Sequence, residues 1–490
     1  MGITVIMSSN SDEYQTPKTK MNILLLSNSA PYHCFFNRLI QKFSEDGYGI
    51  EIAVDCNYTR SENKLDQLGF PIHEFSTFFA EHKSNKEILE RYKKYNLNSA
   101  LLSDFERAEI YKLWNKYDIE FFEKLKSALL SYFENIILSK KIDFVLYECV
   151  SNTFAHFAFF VCQENGITYQ GLIGSRLPSR FAITSDPLND HKPIEQKLSQ
   201  IQSGELFVDQ ETRQWCEKYL DNIENITPDY MKFNNLDNLS LSNKYFKLEK
   251  VRKVIKAIQH INDDHYHSFQ YGNPVNHSWQ MLKMSILRKL KTGIVGRFYQ
   301  QPQENEQFLL YPLHFHPEAS TSILSGTYLN ELEVIKNIAF NLPQGIMLYV
   351  KDHISAYAYP TLDFYKKITS LPNVRLLAPT APTKQLIKAS EAVITLTSTV
   401  GYEALLLNKR VFLFGHVFYK FHPDVVKVEN PANLFELFSR ELGRKALAGR
   451  KYNLDFLAAY YLSTRSGTLN MMLKDSEATK LADDLYPYIK

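Results

Sequence analysis

At 490 residues the chain is too long for one ordinary hydrophobic core and predicts two domains of roughly 150–250 residues each. Its 44% hydrophobic and 22% charged content is that of a globular protein, and a formal net charge of +2 excludes the global basic field that drives nucleic-acid binding. The five cysteines are odd in number and form no Cys-x-x-Cys pair, which argues against a disulfide framework or a structural zinc site and fits a reducing, cytoplasmic setting.

Residues 1–20 are polar, lack the basic start and apolar core of a secretory signal, and read as a disordered lead-in. Met21 directly precedes the first predicted strand and is an alternative start. Asn22–Ser27 is a short apolar run, followed by a helix over Cys34–Asp46, Gly47 and a strand over Ile50–Val54, the β-α-β opening of a parallel sheet. Helical patterning fills most of Glu81–Leu138. A strand over Asp143–Glu148, a helix over Asn152–Glu164 closed by Gly166, and a strand over Ile167–Ile173 continue the first unit, drawn at 21–230.

From Asp190 to Gln307 the pattern loosens into polar, helix-prone sequence, and 231–305 reads as a helical connection or insertion. Within it Lys283, Arg288, Lys289, Lys291 and Arg297 lie among Met, Leu and Ile. They fit either the solvated face of a helix or a patch for peripheral contact with the inner membrane. No run of about 18 apolar residues occurs, so no spanning helix is predicted.

Regular alternation then returns. Strands over Phe308–Leu313, Ile346–Val350, Val374–Leu377, Ala392–Leu396 and Val411–Phe414 alternate with helices over Glu331–Asn341, Leu362–Leu371, Thr383–Ser390 and Tyr402–Leu407. This is a second doubly wound unit at 306–455, with C-terminal helices over 456–490. The predicted class is α/β, two Rossmann-like doubly wound domains facing a cleft.

In open parallel sheets, ligands bind beyond the carboxyl ends of the strands. Lys351-Asp352-His353 follows one predicted strand, Thr397-Ser398-Thr399-Val400-Gly401 another, and His314-Phe315-His316-Pro317-Glu318 a third. Lysine supplies a point charge and histidine a donor that can be charged. Hydroxyl residues opening a helix can hold a phosphate or simply cap the helix. Neither a GxGxxG fingerprint nor a GxxxxGK[ST] loop is present, which disfavours nicotinamide cofactors and P-loop nucleotides.

In the first unit Asn28 follows a strand and Glu148 ends one. Glu148 fits a base or nucleophile in the cleft, or a helix-capping or salt-bridged glutamate, and Asp186 is a second carboxylate candidate. Arg176 and Arg180 fit a clamp on a carboxylate or phosphate, or a surface turn, and with Asn28 they are counted toward the acceptor or the sugar carboxylate. No Asp-x-Asp motif stands at a strand end, and Asp263-Asp264 falls in the irregular middle. A metal is expected to be dispensable, because Lys351, His353 and a helix N-terminus can neutralise a leaving phosphate.

The run Tyr311–Ser320 resembles the PLHxQPE segment of capsule polysaccharide biosynthesis proteins, and Leu348–His353 resembles their lysine–acidic–histidine–proline motif. Leu371–Arg375, Thr397–Leu405 and Val411–Gly415 follow in that family's order. The resemblance covers Phe308–Val426 well, and the first unit thinly through Tyr147-Glu148 and Ser175–Arg180. The family is similar to the bacterial β-Kdo transferases and related in plan to GT-B sialyltransferases. The resemblance therefore implies a GT-B glycosyltransferase with a nucleotide-sugar donor, plausibly a CMP-linked ulosonic acid such as Kdo. Its acceptor would be a glycan or glycolipid of capsule or lipopolysaccharide synthesis. Matched residue by residue, it implies that His353, and Ser398 with Thr399, hold the nucleotide phosphate beside Lys351, and that Glu403 bonds the ribose.

Thr397 and His316 lie in the same motifs and are counted with the nucleotide-sugar site. Two departures stand out. Ile354 replaces the motif's proline, and Ser398 replaces the usual glycine between the two threonines, which crowds the phosphate. The rival readings are a sugar-nucleotide epimerase of the same plan and a non-catalytic capsule assembly protein.

Overall fold

The computed structural model describes residues 21–28, 32–111, 118–229, 232, 258, 268–269 and 272–490. The lead-in at 1–20 and Asp263-Asp264 lie outside the described residues.

The first sheet opens with β1 (Asn22–Ser27), in which every residue after the first is buried. A strand covered on both faces reads as an unbroken apolar run, which is why it stands out in the sequence. Five strands lie parallel in the order β3 (Ile72–Glu74), β2 (Gly49–Val54), β1, β4 (Phe144–Glu148) and β5 (Thr168–Gly174). Two antiparallel strands, β6 (Arg180–Thr184) and β13 (Arg465–Ser466), extend the β5 edge. Three of these strands, β3, β6 and β13, were not foreseen.

The second sheet is parallel throughout, in the order β12 (Val425–Lys427), β11 (Arg410–Leu413), β10 (Ala392–Thr395), β7 (Gln307–Pro312), β8 (Ile346–Lys351) and β9 (Val374–Leu377). Counted from β7, this is the strand order 3-2-1-4-5-6 of the doubly wound fold. The direction of winding reverses between β1 and β4 in one sheet and between β7 and β10 in the other.

The helices His33–Glu45, Ile119–Ser139 and Thr153–Asn165 build the first core. One face of the second sheet is covered by Glu331–Phe340, Leu362–Thr369 and Leu434–Glu441. The other packs with Lys192–Ser203, Gln210–Asp221 and Arg450–Leu462. The first two of these helices come from the stretch assigned to the first unit. Their apolar faces, with Ile194, Leu198, Ile201, Tyr219 and Leu220, nevertheless join the second core.

After Leu462 the chain returns to the first body. There β13 pairs with β6, and the helix Asp475–Ile489 lies on His33–Glu45. Tyr486 meets Phe43 edge-on at 5.0 Å, and Asp483 accepts from Arg38 at 2.7 Å. Phe269 is also in the first core, stacked on Phe154 at 5.6 Å, with its N–H donated to buried Asp55 at 3.0 Å. The cysteines are all unpaired. Among the described residues, no helix is long and apolar enough to cross a membrane.

Candidate functional site

At the switch point of the second sheet, buried His314 ties the ends of β7 and β10 together. Its Nδ1 donates to Glu331 at 2.8 Å, and its Nε2 accepts from the Thr397 N–H at 3.2 Å. A backbone N–H can only donate, so the ring proton sits on Nδ1. Glu331 also accepts from the His314 N–H and the Tyr311 hydroxyl, both at 3.0 Å. Burial opposes its charge, but the hydrogen bonds from His314 and His316 prevail and hold the carboxyl at about 2.

His316 sits between two carboxylates from different bodies. Its Nδ1 lies 3.1 Å from Glu106 in the helix Phe105–Tyr111, and its Nε2 lies 3.6 Å from Glu331. Burial alone would lower its pKa, yet the two carboxylates raise it to about 10. His316 was expected to meet the nucleotide sugar. The structure instead makes it an imidazolium that bridges the bodies, because both ring nitrogens face carboxylates. Ile323, farther along the same loop, packs on the first core.

Lys351 ends β8 with its ammonium buried. It donates to the Pro379 carbonyl at 2.9 Å, and burial lowers its pKa to about 8 although Asp352 and Glu403 oppose the shift. His353 is oriented from both sides. Its N–H donates to Asp352 at 2.7 Å, and its Nδ1 accepts from the Ser355 N–H at 3.1 Å. The ring proton is therefore on Nε2. Burial, with Lys351 adding to it, lowers the pKa to about 4. The expected chargeable donor is thus a neutral imidazole in the resting site.

Thr397 is closed off, with its hydroxyl donating to the Ser320 carbonyl at 3.0 Å and its N–H to His314. Ser398 caps the helix Thr399–Leu406, its Oγ accepting from Val400 N–H at 3.1 Å. The helix begins three residues earlier than expected because this cap starts it. Thr399 is its first residue and is half-buried. Tyr419 donates to the Ser398 carbonyl at 2.6 Å, across a spot where a side chain on Gly401 would collide with the tyrosine hydroxyl. A Cβ on Gly415 would come within 2.7 Å of the Leu324 and Leu396 carbonyl oxygens, so the loops after β10 and β11 can close only over glycine. Glu403 pairs with Lys384 at 2.9 Å; burial raises its pKa and Lys384 counters it.

Across the cleft, Glu148 ends β4 in a buried position. Ser151 Oγ donates to it at 2.6 Å. Burial raises its pKa to about 7, opposed by Ser151, by the charge of Arg107 and by the hydroxyls of Tyr147 and Tyr32. No cation pairs with it directly among the described residues; Arg107 is held by Asp104 at 2.8 Å. A salt-bridged structural role is therefore not what this carboxylate has. Asn28 is fully buried beside it, accepting from the Tyr147 hydroxyl, and its Nδ2 has no partner among the described residues.

Arg176 and Asp190 line a cavity of about 80 Å³ with Ser175, Thr184, Phe418 and Tyr460. Burial raises Asp190 to about 6, against the pull of Arg176 and Lys420. The Cys149 thiol is pushed up by burial and then by the charges of Glu148, Asp190 and Glu318, with Arg176 opposing. Carboxylates of both bodies thus lie near this thiol, just after the end of β4.

Two expected residues have other work. Arg180 donates to Thr464 Oγ1 at 2.6 Å and to the Thr464 carbonyl at 3.0 Å, and it stacks over Tyr461 at 3.6 Å. It staples the returning C-terminal segment rather than clamping a substrate. Asp186 pairs with Lys192 at 2.9 Å and accepts from Asn189, tying the start of a helix. Sequence reasoning missed Glu331, Glu106, Asp190 and Lys384. Of these, Glu331 carried a signal only in hindsight of packing, since its histidine partner is 17 residues away.

Two Rossmann-like sheets, each with a switch point of its own, give the chain the GT-B architecture. The model of the capsule polysaccharide biosynthesis protein family matches residues 217–423, and over that stretch the chain carries the family's pattern. No curated protein matches the chain. Among solved structures, Thermosulfurimonas dismutans KpsC, a beta Kdo 2,7 transferase, is similar at 14% identity over 74% of this chain and 90% of that one, with a TM-score of 0.32. The beta Kdo 2,4 transferase of the same KpsC is similar at 14% identity over 68% and 87%, with a TM-score of 0.35. A UDP-GlcNAc 2-epimerase from Methanocaldococcus jannaschii is similar at 11% identity over 90% and 98%, with a TM-score of 0.27. At these scores the fold assignment rests on the chain's own strand order.

Proposed function

We propose that this protein is a nucleotide-sugar-dependent glycosyltransferase of surface polysaccharide synthesis. Its donor is a CMP-linked ulosonic acid such as Kdo and its acceptor a glycan or glycolipid. The observation that carries this reading is Glu148, a buried carboxylate at the end of β4 with its pKa raised to about 7, in the body opposite the one that carries the polar ends of β7, β8 and β10. A carboxylate poised near neutrality can take a proton from an acceptor hydroxyl. Opposite it, the Nε2–H of His353, the start of the helix at Thr399 and the Lys351 ammonium supply donors and charge for the departing nucleotide phosphate. In this reading Arg176 takes the carboxylate of an ulosonic acid, and Glu403 bonds the ribose. No metal takes part in this scheme. The protein works in the cytoplasm, where nucleotide sugars are available, and meets a glycolipid acceptor at the membrane surface.

The nucleotide is tested by thermal unfolding of the whole chain with CMP, UDP, GDP and ADP. CMP is expected to stabilise the fold most, by about 3 kcal/mol at a hundred times its Kd. A response to UDP alone would replace the CMP reading with that of a UDP-sugar enzyme.

The phosphate site is tested by Ser398→Ala combined with Thr399→Val. Calorimetry should show nucleotide binding weakened by about 1–3 kcal/mol. Loss of the Ser398 cap should separately lower folding stability by about 1 kcal/mol. A loss of stability with affinity unchanged would leave Ser398 a helix cap and nothing more.

A further inference from the structure

We propose that the outward face of the helix Pro274–Val295 docks the protein on a bilayer containing anionic phospholipid. One side of this helix is fixed to the protein, with Pro274, Ser285, Arg288 and Val295 buried. Arg288 donates to the Tyr357 carbonyl at 2.5 Å and stacks over Tyr359 at 4.2 Å. Lys291 donates to the carbonyls of Tyr359 and Pro360 at 2.9 and 2.7 Å. Two of the five basic residues of this segment are thus bound inward and unavailable to a partner.

The opposite side is apolar. At about 3.6 residues per turn, Trp279, Ile286, Leu287, Leu290 and Ile294 share one stripe. Their exposures run from 43% for Ile286 and Leu287 to 68% for Leu290. A surface helix ordinarily turns such a stripe toward a core. Here the core side is occupied by other residues of the same helix, so the stripe has no internal partner among the described residues.

Charge selects the occupant. Lys283 lies within the stripe, Lys289 on its flank and Arg297 just beyond the helix end, all exposed and without an ion pair among the described residues. The helix has no acidic residue. An apolar stripe whose own helix carries cations and no acid matches the headgroup and acyl boundary of an anionic bilayer, and an exposed tryptophan suits that interface. Since only part of the basic set faces outward, apolar insertion carries most of the attraction, with the cations adding preference for anionic lipid. This docking does not depend on which sugar the cleft binds.

Flotation of the full chain with vesicles tests it, comparing phosphatidylcholine alone with roughly 30% phosphatidylglycerol added. The wild type is expected to float with the mixed vesicles and to keep most of its binding at about 0.5 M salt, where exposed charges are screened. Leu290→Asp with Ile294→Asp should cut the bound fraction about tenfold. Melting and nucleotide response should be unchanged, because both residues are exposed. Lys283→Glu with Lys289→Glu should remove the preference for phosphatidylglycerol. Absence of wild-type binding, or equal binding by the aspartate variant, overturns the proposal. A wild type that ignores vesicles but self-associates until the aspartates are introduced also overturns it, assigning the face to a second copy.

Discussion

Glu148→Gln is expected to lose transfer by about 10²–10⁴-fold while keeping nucleotide affinity, since it removes basicity and leaves size and hydrogen bonding in place. The pH dependence gives an independent check. A general base acts only when ionised, so wild-type kcat/KM should rise as pH increases through about 7, the value to which burial raises this carboxyl. The variant should lack that limb.

Stability should move in the opposite sense. The folded-state pKa lies above the ordinary glutamate value, so folding favours the protonated form. That advantage is complete in acid, and ionisation removes it as pH rises through about 7. The difference is at most about 3 kcal/mol. Glutamine carries no such penalty, so above pH 7 the variant should be at least as stable as the wild type, with the gap closing toward pH 4. Mass spectrometry of the wild type with donor alone separates base from nucleophile, a sugar adduct on Glu148 establishing the latter. A variant that transfers sugar at the wild-type rate would end the assignment.

His353→Ala is expected to lower transfer by about 10²-fold or more, the scale of one donor removed from developing charge. The resting geometry sharpens the test. Since the Ser355 N–H occupies Nδ1, the donor is the Nε2–H of a neutral ring. Glutamine can place an amide N–H close to where that Nε2–H was, so His353→Gln should retain clearly more activity than His353→Ala. Charge is not what the free site offers here, with the pKa lowered to about 4. Equal activity of the alanine variant and the wild type would remove His353 from the phosphate site.

The alternation of strands and helices was legible wherever burial is two-sided. β1, β10 and β11 each centre on an unbroken apolar run, and Val374–Leu377 was placed at its observed bounds. The strands that escaped notice are short or bordered by polar residues. β3 has three half-buried residues, and β13 is two exposed residues that make sense only against β6. Positions at strand ends were legible for the same reason, so Glu148, Lys351, His353 and Ser398 emerged as candidates.

What those side chains do there was not legible, because their partners are distant in sequence. Arg180 looked free for a substrate until Thr464 and Tyr461 came back to meet it, and His316 until Glu106 approached from the other body. The basic segment near 283–297 shows the same effect. Its charge count was visible, but the carbonyls of Tyr357, Tyr359 and Pro360 decide which cations face inward.

The path of the chain between the two bodies has a consequence for fragments. Residues 192–223 leave the first body to pack on the second sheet, Phe269 is back in the first core, and β7 to β12 belong to the second. The helix Asp475–Ile489 closes against His33–Glu45. No single scission therefore yields two self-sufficient halves. A piece ending near 230 would keep β1 to β6 but bare the aromatic cluster around Phe75 and Phe154 that Phe269 covers. It would also bare the flank of Phe43 that Tyr486 covers. It would carry away two helices whose apolar faces have no sheet to rest on. The two bodies are separate in architecture yet interleaved along the polypeptide, and the unit that folds is the pair.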